Sequence, residues 1–221
     1  MEALPNDMTR ANVGCGRSPT QGWRNFDNSQ TIKLAKVPLL PTLLRKIGVL
    51  SKEKYEYVQC VRANHIEYAD ATRKLPVRSG SLGVLYSSHM IEHLDQKQAA
   101  SFLQEARRVL CSGGLIRLVI PDIQKQVQQY IETNKADAFV AATGLAQPRA
   151  TTLAQRAKLL LLGSRGHQWM YDGESLSRLL EANGFVSPAV LDPGTTTIGN
   201  PQGLDLRERC SESAYVEART P

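Results

Sequence analysis

A chain of 221 residues lies in the usual size range of one folded domain. Hydrophobic residues make up 42% and charged residues 22%, which argues against a disordered or fibrous protein. The net charge is +6, but the basic residues are dispersed in pairs such as Arg107-Arg108, with no interleaved aromatic residues. This pattern disfavours a nucleic-acid partner. We therefore expect a single domain over residues 1–221.

Signals for a membrane or for secretion are not found in the sequence. The longest apolar stretch, residues 158–163, is far shorter than the roughly 20 residues that span a bilayer. The first residues carry Glu2 and Asp7 and lack a basic region followed by an apolar stretch, which argues against a signal peptide. The four cysteines form no CxxC pair, so they indicate neither a disulfide framework nor a zinc knuckle. We expect a cytoplasmic protein with reduced thiols.

The first half of the chain predicts four strands. Residues 11–13 are a short strand that runs into the glycine turn Gly14-Cys15-Gly16. Further strands are predicted at residues 23–27, 65–69 and 82–87. Residues 31–57 contain two prolines and a leucine-rich run, which predict one or two short helices that cover the sheet or a binding site. The short gap between Gly16 and Asp27 predicts a single helical turn, or none, after the first strand.

The second half alternates between helices and strands. Apolar residues recur at steps of three and four between Gln96 and Leu110, which predicts an amphipathic helix that ends at Ser112-Gly113-Gly114. The nearly all-apolar residues 115–120 predict a central parallel strand that Pro121 terminates. A helix is expected at residues 173–182, with strands near 185–191 and 213–217. This order predicts an α/β fold with a mostly parallel sheet, helices on both faces and antiparallel pairing at the end.

Polar and glycine motifs follow the first four predicted strands in a fixed order. They are the glycine turn, Asp27, Asp70-Ala71, and the segment Ser87-Ser88-His89-Met90-Ile91-Glu92-His93-Leu94. A G-x-G turn alone is a weak signal. The ordered set, however, resembles the class I S-adenosylmethionine-dependent methyltransferases, in the branch with D-A-x-x-L-P (here residues 70–76) and L-E-H-type motifs. The similarity extends through residues 113–122 to 176–185. The overall pattern, including residues 166–172, is similar to predicted methyltransferases of bacterial surface-polysaccharide genes.

This resemblance implies a Rossmann-like fold with a seven-stranded sheet and S-adenosylmethionine as the cofactor. Gly14 and Gly16, with Cys15 between them, would let the backbone approach the methionine part of the cofactor, where a Cβ atom would collide. Asp27 would accept hydrogen bonds from the ribose hydroxyls. For Asp27, the structural alternative is a turn or cap residue.

The resemblance assigns further cofactor contacts to the third and fourth strands. Asp70 would accept a hydrogen bond from the adenine amino group, and the Ala71 backbone N–H would donate to a ring nitrogen. The structural alternative for Asp70 is a cap. Ser87, Ser88 and His89 lie where the fourth strand ends, which is the side on which an open parallel sheet binds its ligand. We expect at least one of them to border the methyl-donor pocket.

The expected reaction is an in-line displacement, in which a base removes a proton if the acceptor is a hydroxyl. His89 and His93 lie one helical turn apart after the fourth strand, and the loop with His167 can return over the same edge of the sheet, so that the three side chains converge. His89 and His167 are the favoured bases, Asp122 is the acidic alternative, and His93 is expected mainly to orient its loop. Glu92-His93 also matches the second half of the metal-binding E-x-x-E-H pattern of ubiquinone-pathway and small-RNA methyltransferases. Because His89 replaces the first acid of that pattern, a base without a bound metal is expected.

Other classes fit the same residues less well. Residues 89–93 match the peptidase pattern H-x-x-E-H, which needs a position in the middle of a helix and a further ligand. The glycine turn also occurs in nicotinamide-dependent dehydrogenases, but the full G-x-G-x-x-G signature is missing. A methyltransferase-like partner subunit without catalysis is a further alternative, against which the intact cofactor motifs argue.

The acceptor is the least determined part of the function. Residues 31–57 and 122–170 lie outside the common core, and acceptor specificity usually resides in such insertions. Family resemblance favours a sugar hydroxyl of a surface glycan or its precursor, with a small metabolite or natural product as the runner-up. O- versus N-methylation and a homo-oligomeric state stay open.

Overall fold

The computed structural model describes residues 9–146, 166–201 and 203–221, and these residues contain a seven-stranded sheet. The strands are β1 Thr9–Val13, β2 Arg24–Asp27, β3 Glu67–Tyr68, β4 Leu82–Ser88, β5 Leu110–Pro121, β6 Val186–Leu191 and β7 Ser213–Arg219. Their order across the sheet is β3-β2-β1-β4-β5-β7-β6. Strands β1 to β5 pair in parallel, and β7 is antiparallel to both of its neighbours. The predicted fold class is confirmed.

The helices lie between these strands. They are α1 Gln30–Ala35, α2 Leu40–Lys46, α3 Lys52–Ala63, α4 Gln96–Val109, α5 Ile123–Thr133, α6 Ala136–Thr143 and α7 Gly173–Ala182, with one 3-10 turn at Ile91–His93. Within the three described ranges, no helix is long and apolar enough to cross a membrane.

Helix α4 is amphipathic, as its sequence predicts. Its buried face consists of Ala99, Phe102, Leu103, Ala106 and Val109, which belong to the main core under the sheet. Asp95 begins the helix: its side chain accepts a hydrogen bond from the Gln98 backbone N–H, and the Gln98 side chain accepts one from the Asp95 backbone. This reciprocal capping satisfies two backbone donors at the helix start.

The prediction that Ser112-Gly113-Gly114 ends the amphipathic helix was wrong. These residues lie inside β5 because the helix already ends at Val109, where Leu110 takes an extended conformation. Gly113 has φ +70°, and the register between β4 and β5 shifts from Leu82↔Leu110 to Val84↔Leu115. The glycines therefore form an irregularity within the strand instead of a loop before it.

A turn region without a helix connects β1 and β2. Residues 14–23 form turns and bends, as the short gap predicted. The Thr20 backbone N–H donates to Asn25 Oδ1 at 2.7 Å, and Asn12 Nδ2 donates to Thr20 Oγ1 at 2.9 Å. These buried contacts close the loop on itself, so Asp27 lies directly beside the glycine turn.

The described parts of the two predicted insertions are mostly helical. Residues 31–57 contain most of α1, all of α2 and the start of α3. Helix α3 is longer than the short helices that the sequence predicted. Helices α1 and α3 pack through a small core that includes Ile32 and Val58. Residues 122–170 contain α5 and α6, whereas residues 147–165, which include the apolar stretch 158–163, lie outside the described residues.

A buried ion pair joins β5 to β7. Arg117 and Glu217 are direct partners in the register, and their residues are 0% and 2% exposed. Arg117 Nη1 donates to Glu217 Oε1 at 2.6 Å. The Glu217 carboxylate also accepts hydrogen bonds from the Thr196 hydroxyl and from the Thr197 backbone N–H. The pair is thus embedded in a polar network within the sheet.

Candidate active site

The glycine turn lies at the carboxyl end of β1 and is bonded to the end of β2. The backbone N–H groups of Gly14 and Cys15 donate to the Phe26 carbonyl at 2.8 and 3.1 Å. The Gly16 N–H donates to Asp27 Oδ2 at 3.0 Å. The turn and the carboxylate therefore form one unit at the edge where parallel sheets bind ligands.

The two glycines of the turn are required for different reasons. Both have positive φ, +76° at Gly14 and +52° at Gly16. A Cβ atom on Gly14 would lie 2.5 Å from Met90 Cγ, so this glycine is needed for packing against Met90. A Cβ atom on Gly16 would meet no described atom within 4 Å. Gly16 is thus the glycine that faces open space, where a ligand can approach the backbone.

Cys15 is a structural thiol. Its residue is only 6% exposed, and burial, together with the nearby Asp27 charge, raises the pKa of the thiol to about 12. The thiol stays protonated at neutral pH, and only a thiolate is a good nucleophile. Any contact of Cys15 with a cofactor would therefore be a packing or backbone contact.

Asp27 already serves as a turn residue in this structure. Its Oδ1 accepts hydrogen bonds from the Ser29 N–H at 2.8 Å and from the Tyr57 hydroxyl at 3.3 Å. With the Gly16 N–H on Oδ2, three of the roughly four acceptor positions of a carboxylate are used. One position on Oδ2 is left for a ligand hydroxyl, where the sequence analysis expected room for two.

Asp70 closes a turn after β3. Its Oδ1 accepts hydrogen bonds from the Thr72 N–H at 3.0 Å and from the Thr72 hydroxyl at 2.7 Å, and its Oδ2 lies 3.4 Å from Arg73 Nε. This is the cap that the sequence analysis named as the structural alternative. Ala71 is 8% exposed and packs in the main core. The Asp70 side chain stays partly exposed, and it follows β3 at the same edge of the sheet as the glycine turn.

The residues at the end of β4 have separate roles. Ser87 is 2% exposed, and its hydroxyl donates to the Val13 carbonyl at 2.7 Å, so it ties β4 to β1. Ser88 is the last residue of the strand and is half-buried. His89 follows with φ +48°, a conformation in which side chains other than those of Asn, Asp and His are rare.

The ring nitrogens of His89 both have partners, which the sequence analysis did not predict. Arg209 Nη1 lies 2.9 Å from Nδ1, and Ser213 Oγ lies 3.0 Å from Nε2. A guanidinium can only donate, so Nδ1 accepts, and Nε2 of a neutral ring carries the proton. Arg209 and Ser213 are more than 100 residues away in sequence, and no local motif indicates them.

Three histidines converge on one carboxylate. Glu92 Oε1 lies 3.5 Å from His89 Nδ1, 3.9 Å from His167 Nε2 and 4.0 Å from His93 Nε2. The convergence that the sequence analysis raised is therefore present. The expected helix is not, because only Ile91–His93 forms a 3-10 turn and His89 precedes it. This also removes the mid-helix position that the peptidase alternative requires.

Backbone hydrogen bonds bring the segment 166–171 onto the 3-10 turn. Gln168 and Trp169 donate their N–H groups to the Glu92 carbonyl at 2.7 and 3.2 Å. The Tyr171 carbonyl accepts a hydrogen bond from the Ile123 N–H at 3.0 Å. Burial and the Glu92 charge raise the pKa of Tyr171 to about 12, so its hydroxyl is protonated at neutral pH.

Asp122 has a capping role. Its Oδ1 accepts a hydrogen bond from the Gln124 N–H at 3.0 Å at the start of α5, and the residue is 7% exposed. Its backbone N–H donates to the Glu212 carbonyl at 2.9 Å. These contacts hold the end of β5 in place and leave the carboxylate less available than the histidines.

The fold and the glycine turn define the class I methyltransferase architecture. A structure from Methanosarcina mazei, described as a SAM-dependent methyltransferase, is 16% identical to this chain and has a TM-score of 0.53. The match covers 99% of this chain and 94% of that one. A structure from Mesorhizobium loti is also similar, with 16% identity, a TM-score of 0.49 and coverage of 98% of this chain and 93% of that one. One from Thermotoga maritima, described as a possible histamine N-methyltransferase, has 16% identity, a TM-score of 0.48 and coverage of 99% of this chain and 84% of that one.

The sequence comparison is more specific than the structural one. Residues 12–118 match the model of the methyltransferase domain family, a range that contains the glycine turn, Asp27, Asp70 and the Glu92 carboxylate. None of the curated proteins matches the chain. The matched range is just under half of the chain, and this similarity indicates an S-adenosylmethionine-dependent methyltransferase.

Proposed function

We propose that the enzyme methylates a hydroxyl group of a sugar or of a glycan precursor. The cofactor would bind along the carboxyl edge of β1, β2 and β4. The observation that carries this placement is the open space at Gly16, beside the remaining acceptor position of Asp27 Oδ2 and on the same sheet edge as Asp70. The sugar acceptor rests on family resemblance alone, in a pattern that includes residues 166–172.

The contacts with the cofactor divide between its parts. The Gly14–Gly16 backbone would contact the methionine part, and Asp27 would bind one ribose hydroxyl. Asp70 Oδ2 and the Ala71 N–H would bind the adenine ring. Ser87 holds β4 against β1 and acts indirectly, so Ser88 and His89 are the residues of β4 and its end that would border the methyl group.

The protein must align donor and acceptor and remove the hydroxyl proton. We place the proton acceptor at His89, because the next residue, Met90, packs directly against Gly14. The proposal requires that Arg209 release His89 Nδ1, and the half-exposed Arg209 side chain has room to do so. His167 and Asp122 are the alternatives, but His167 Nε2 faces Glu92 and Asp122 caps α5.

The cofactor site can be tested by calorimetry with S-adenosylmethionine. Asp27→Asn keeps the shape of the side chain but removes the charge, so we expect roughly 10- to 100-fold weaker binding, the loss of one charged hydrogen bond. The control is Asp192→Asn, which changes an exposed aspartate outside the proposed site. Equal affinity of wild type and Asp27→Asn, with both folded by circular dichroism, would remove Asp27 from the cofactor site.

The acceptor can be tested with labelled S-adenosylmethionine and a panel of glycan precursors, small metabolites and RNA. We expect label in hydroxyl groups of the carbohydrate fraction. Transfer to small metabolites alone would favour the runner-up class. Label only in RNA would contradict the proposal, and tight cofactor binding without any transfer would favour a non-catalytic partner subunit.

A further inference from the structure

The group formed by Glu92, His93 and His167 has the composition of a metal site. One ligand atom from each residue lies within 4.8 Å of the others. Glu92 and His93 come from the 3-10 turn after β4, and His167 comes from the segment 166–171. Two segments more than 70 residues apart thus converge, and the hydrogen bonds between them are made by backbone groups, by the Gln168 side chain and by His93 Nδ1.

Glu92 is a buried carboxylate with no compensating partner. The side chain is 1% exposed, and neither oxygen has a hydrogen-bond partner among the residues that the structure describes. The nearest nitrogens, on His89, His167 and His93, lie 3.5 to 4.0 Å from Oε1, which is beyond a good hydrogen bond. A charge buried in this way is costly unless a cation or a set of donors satisfies it.

The histidine tautomers leave two lone pairs directed at this carboxylate. His167 Nδ1 lies 2.7 Å from the Thr143 carbonyl, and His93 Nδ1 lies 3.2 Å from the Gly166 carbonyl. A carbonyl can only accept, so each Nδ1 carries a ring proton, and in the neutral ring each Nε2 then has a free lone pair. Two acceptors that face an anion repel one another, whereas a cation between them would bind all three.

We propose that Glu92, His93 and His167 bind one divalent transition-metal ion, for which zinc is the natural probe. Zinc takes imidazole nitrogens and carboxylate oxygens at about 2.0 to 2.2 Å. The three ligand atoms, which lie within 4.8 Å of one another, would have to approach by roughly 1 Å to reach that geometry. Metal-binding histidines usually donate their other N–H to a backbone carbonyl, as both rings do here.

The geometry also fixes the limits of the site. Gly144 permits the position of His167, because a Cβ atom at residue 144 would lie 2.6 Å from His167 Nδ1. His89 stays outside the ligand set, since its Nδ1 accepts from Arg209. Three protein ligands leave a position open, and an acceptor hydroxyl in that position would lose its proton more easily. This last step rests on the proposed function, whereas binding of the ion does not.

The experiment is a zinc titration of the purified, chelator-treated chain against a chromophoric competitor. We expect about one zinc ion per chain and, in Glu92→Gln and His167→Gln, affinity at least about 100-fold lower, the share of one ligand in a typical site. The control is His65→Asn, an exposed histidine outside the group. Zinc should also raise the Tm of wild type but not that of Glu92→Gln.

Each outcome separates this proposal from the proposed function. If wild type binds S-adenosylmethionine but no zinc, the metal site is wrong and the methyltransferase proposal stands. Equal zinc affinity in wild type and in both variants would place the ion elsewhere and overturn the site. Zinc binding that the two variants lose supports the site, even if no acceptor hydroxyl is methylated.

Discussion

Replacing His89 is expected to lower the turnover number by about 100- to 10,000-fold, the usual contribution of a general base, and to leave cofactor affinity within a few-fold. Asparagine is the better replacement, because His89 has φ +48° and asparagine tolerates this conformation with less strain than alanine. His65→Asn is a matched control, since His65 has φ +50° and is exposed. The measurement is steady-state kinetics with a confirmed acceptor, alongside calorimetry.

The His167→Ala variant separates the two roles of the cluster. We expect it to lower turnover as well, because the Nε2 lone pair opposite Glu92 is lost whether it binds an ion or accepts a proton. If the metal proposal holds, His167→Ala loses zinc and His89→Asn keeps it. The base without a bound metal stays the competing prediction: it requires that His89→Ala or His167→Ala abolish activity, and that chelator have no effect. Full activity in both histidine variants would contradict both views.

Replacing Glu217 by glutamine is expected to lower the free energy of unfolding by about 3 to 5 kcal/mol. The change leaves the Arg117 guanidinium charged and unpaired inside the sheet, where its Nε and Nη2 already lack a hydrogen-bond partner within the described part of the chain. Because a buried guanidinium keeps its charge, it cannot relieve this cost by losing a proton.

Denaturant unfolding followed by circular dichroism measures this loss. The control is Arg178→Ala, which breaks an exposed pair with Glu174 and should change stability by less than about 1 kcal/mol. A loss below about 1 kcal/mol in Glu217→Gln would show that solvent reaches Arg117. The position of Arg117 within an otherwise apolar stretch, residues 115–120, is the sequence signal that indicates a buried charge here.

The local sequence predicted most of the fold, because its elements have strong patterns. The apolar steps of α4 and the apolar runs of β4 and β5 are such patterns. The start of β5 could not be found in this way, since Gly113 and Gly114 are typical of a loop and also of a strand irregularity. Only the pairing of β5 with β4 decides between the two.

The candidate site was predicted where it follows a strand and missed where distant segments meet. The glycine turn, Asp27 and Asp70 lie at strand ends, so the sheet alone brings them together. The partners of His89 and the surroundings of Glu92 come from residues that are 70 or more positions away in the sequence. No short motif records such contacts, so these features required coordinates.

The strand order also constrains how the molecule folds. Strand β7 lies between β5 and β6, and β6 pairs with no strand except β7 among the residues described. Strand β6 precedes β7 in the chain, but it has no strand to pair with until β7 has joined the sheet. Strands β1 to β4, which carry the glycine turn and both aspartates, can pair before that step. Ser213 reaches His89 only with β7, so the surroundings of this histidine are completed late, and a folding intermediate can be ready for the cofactor before it is ready for the reaction.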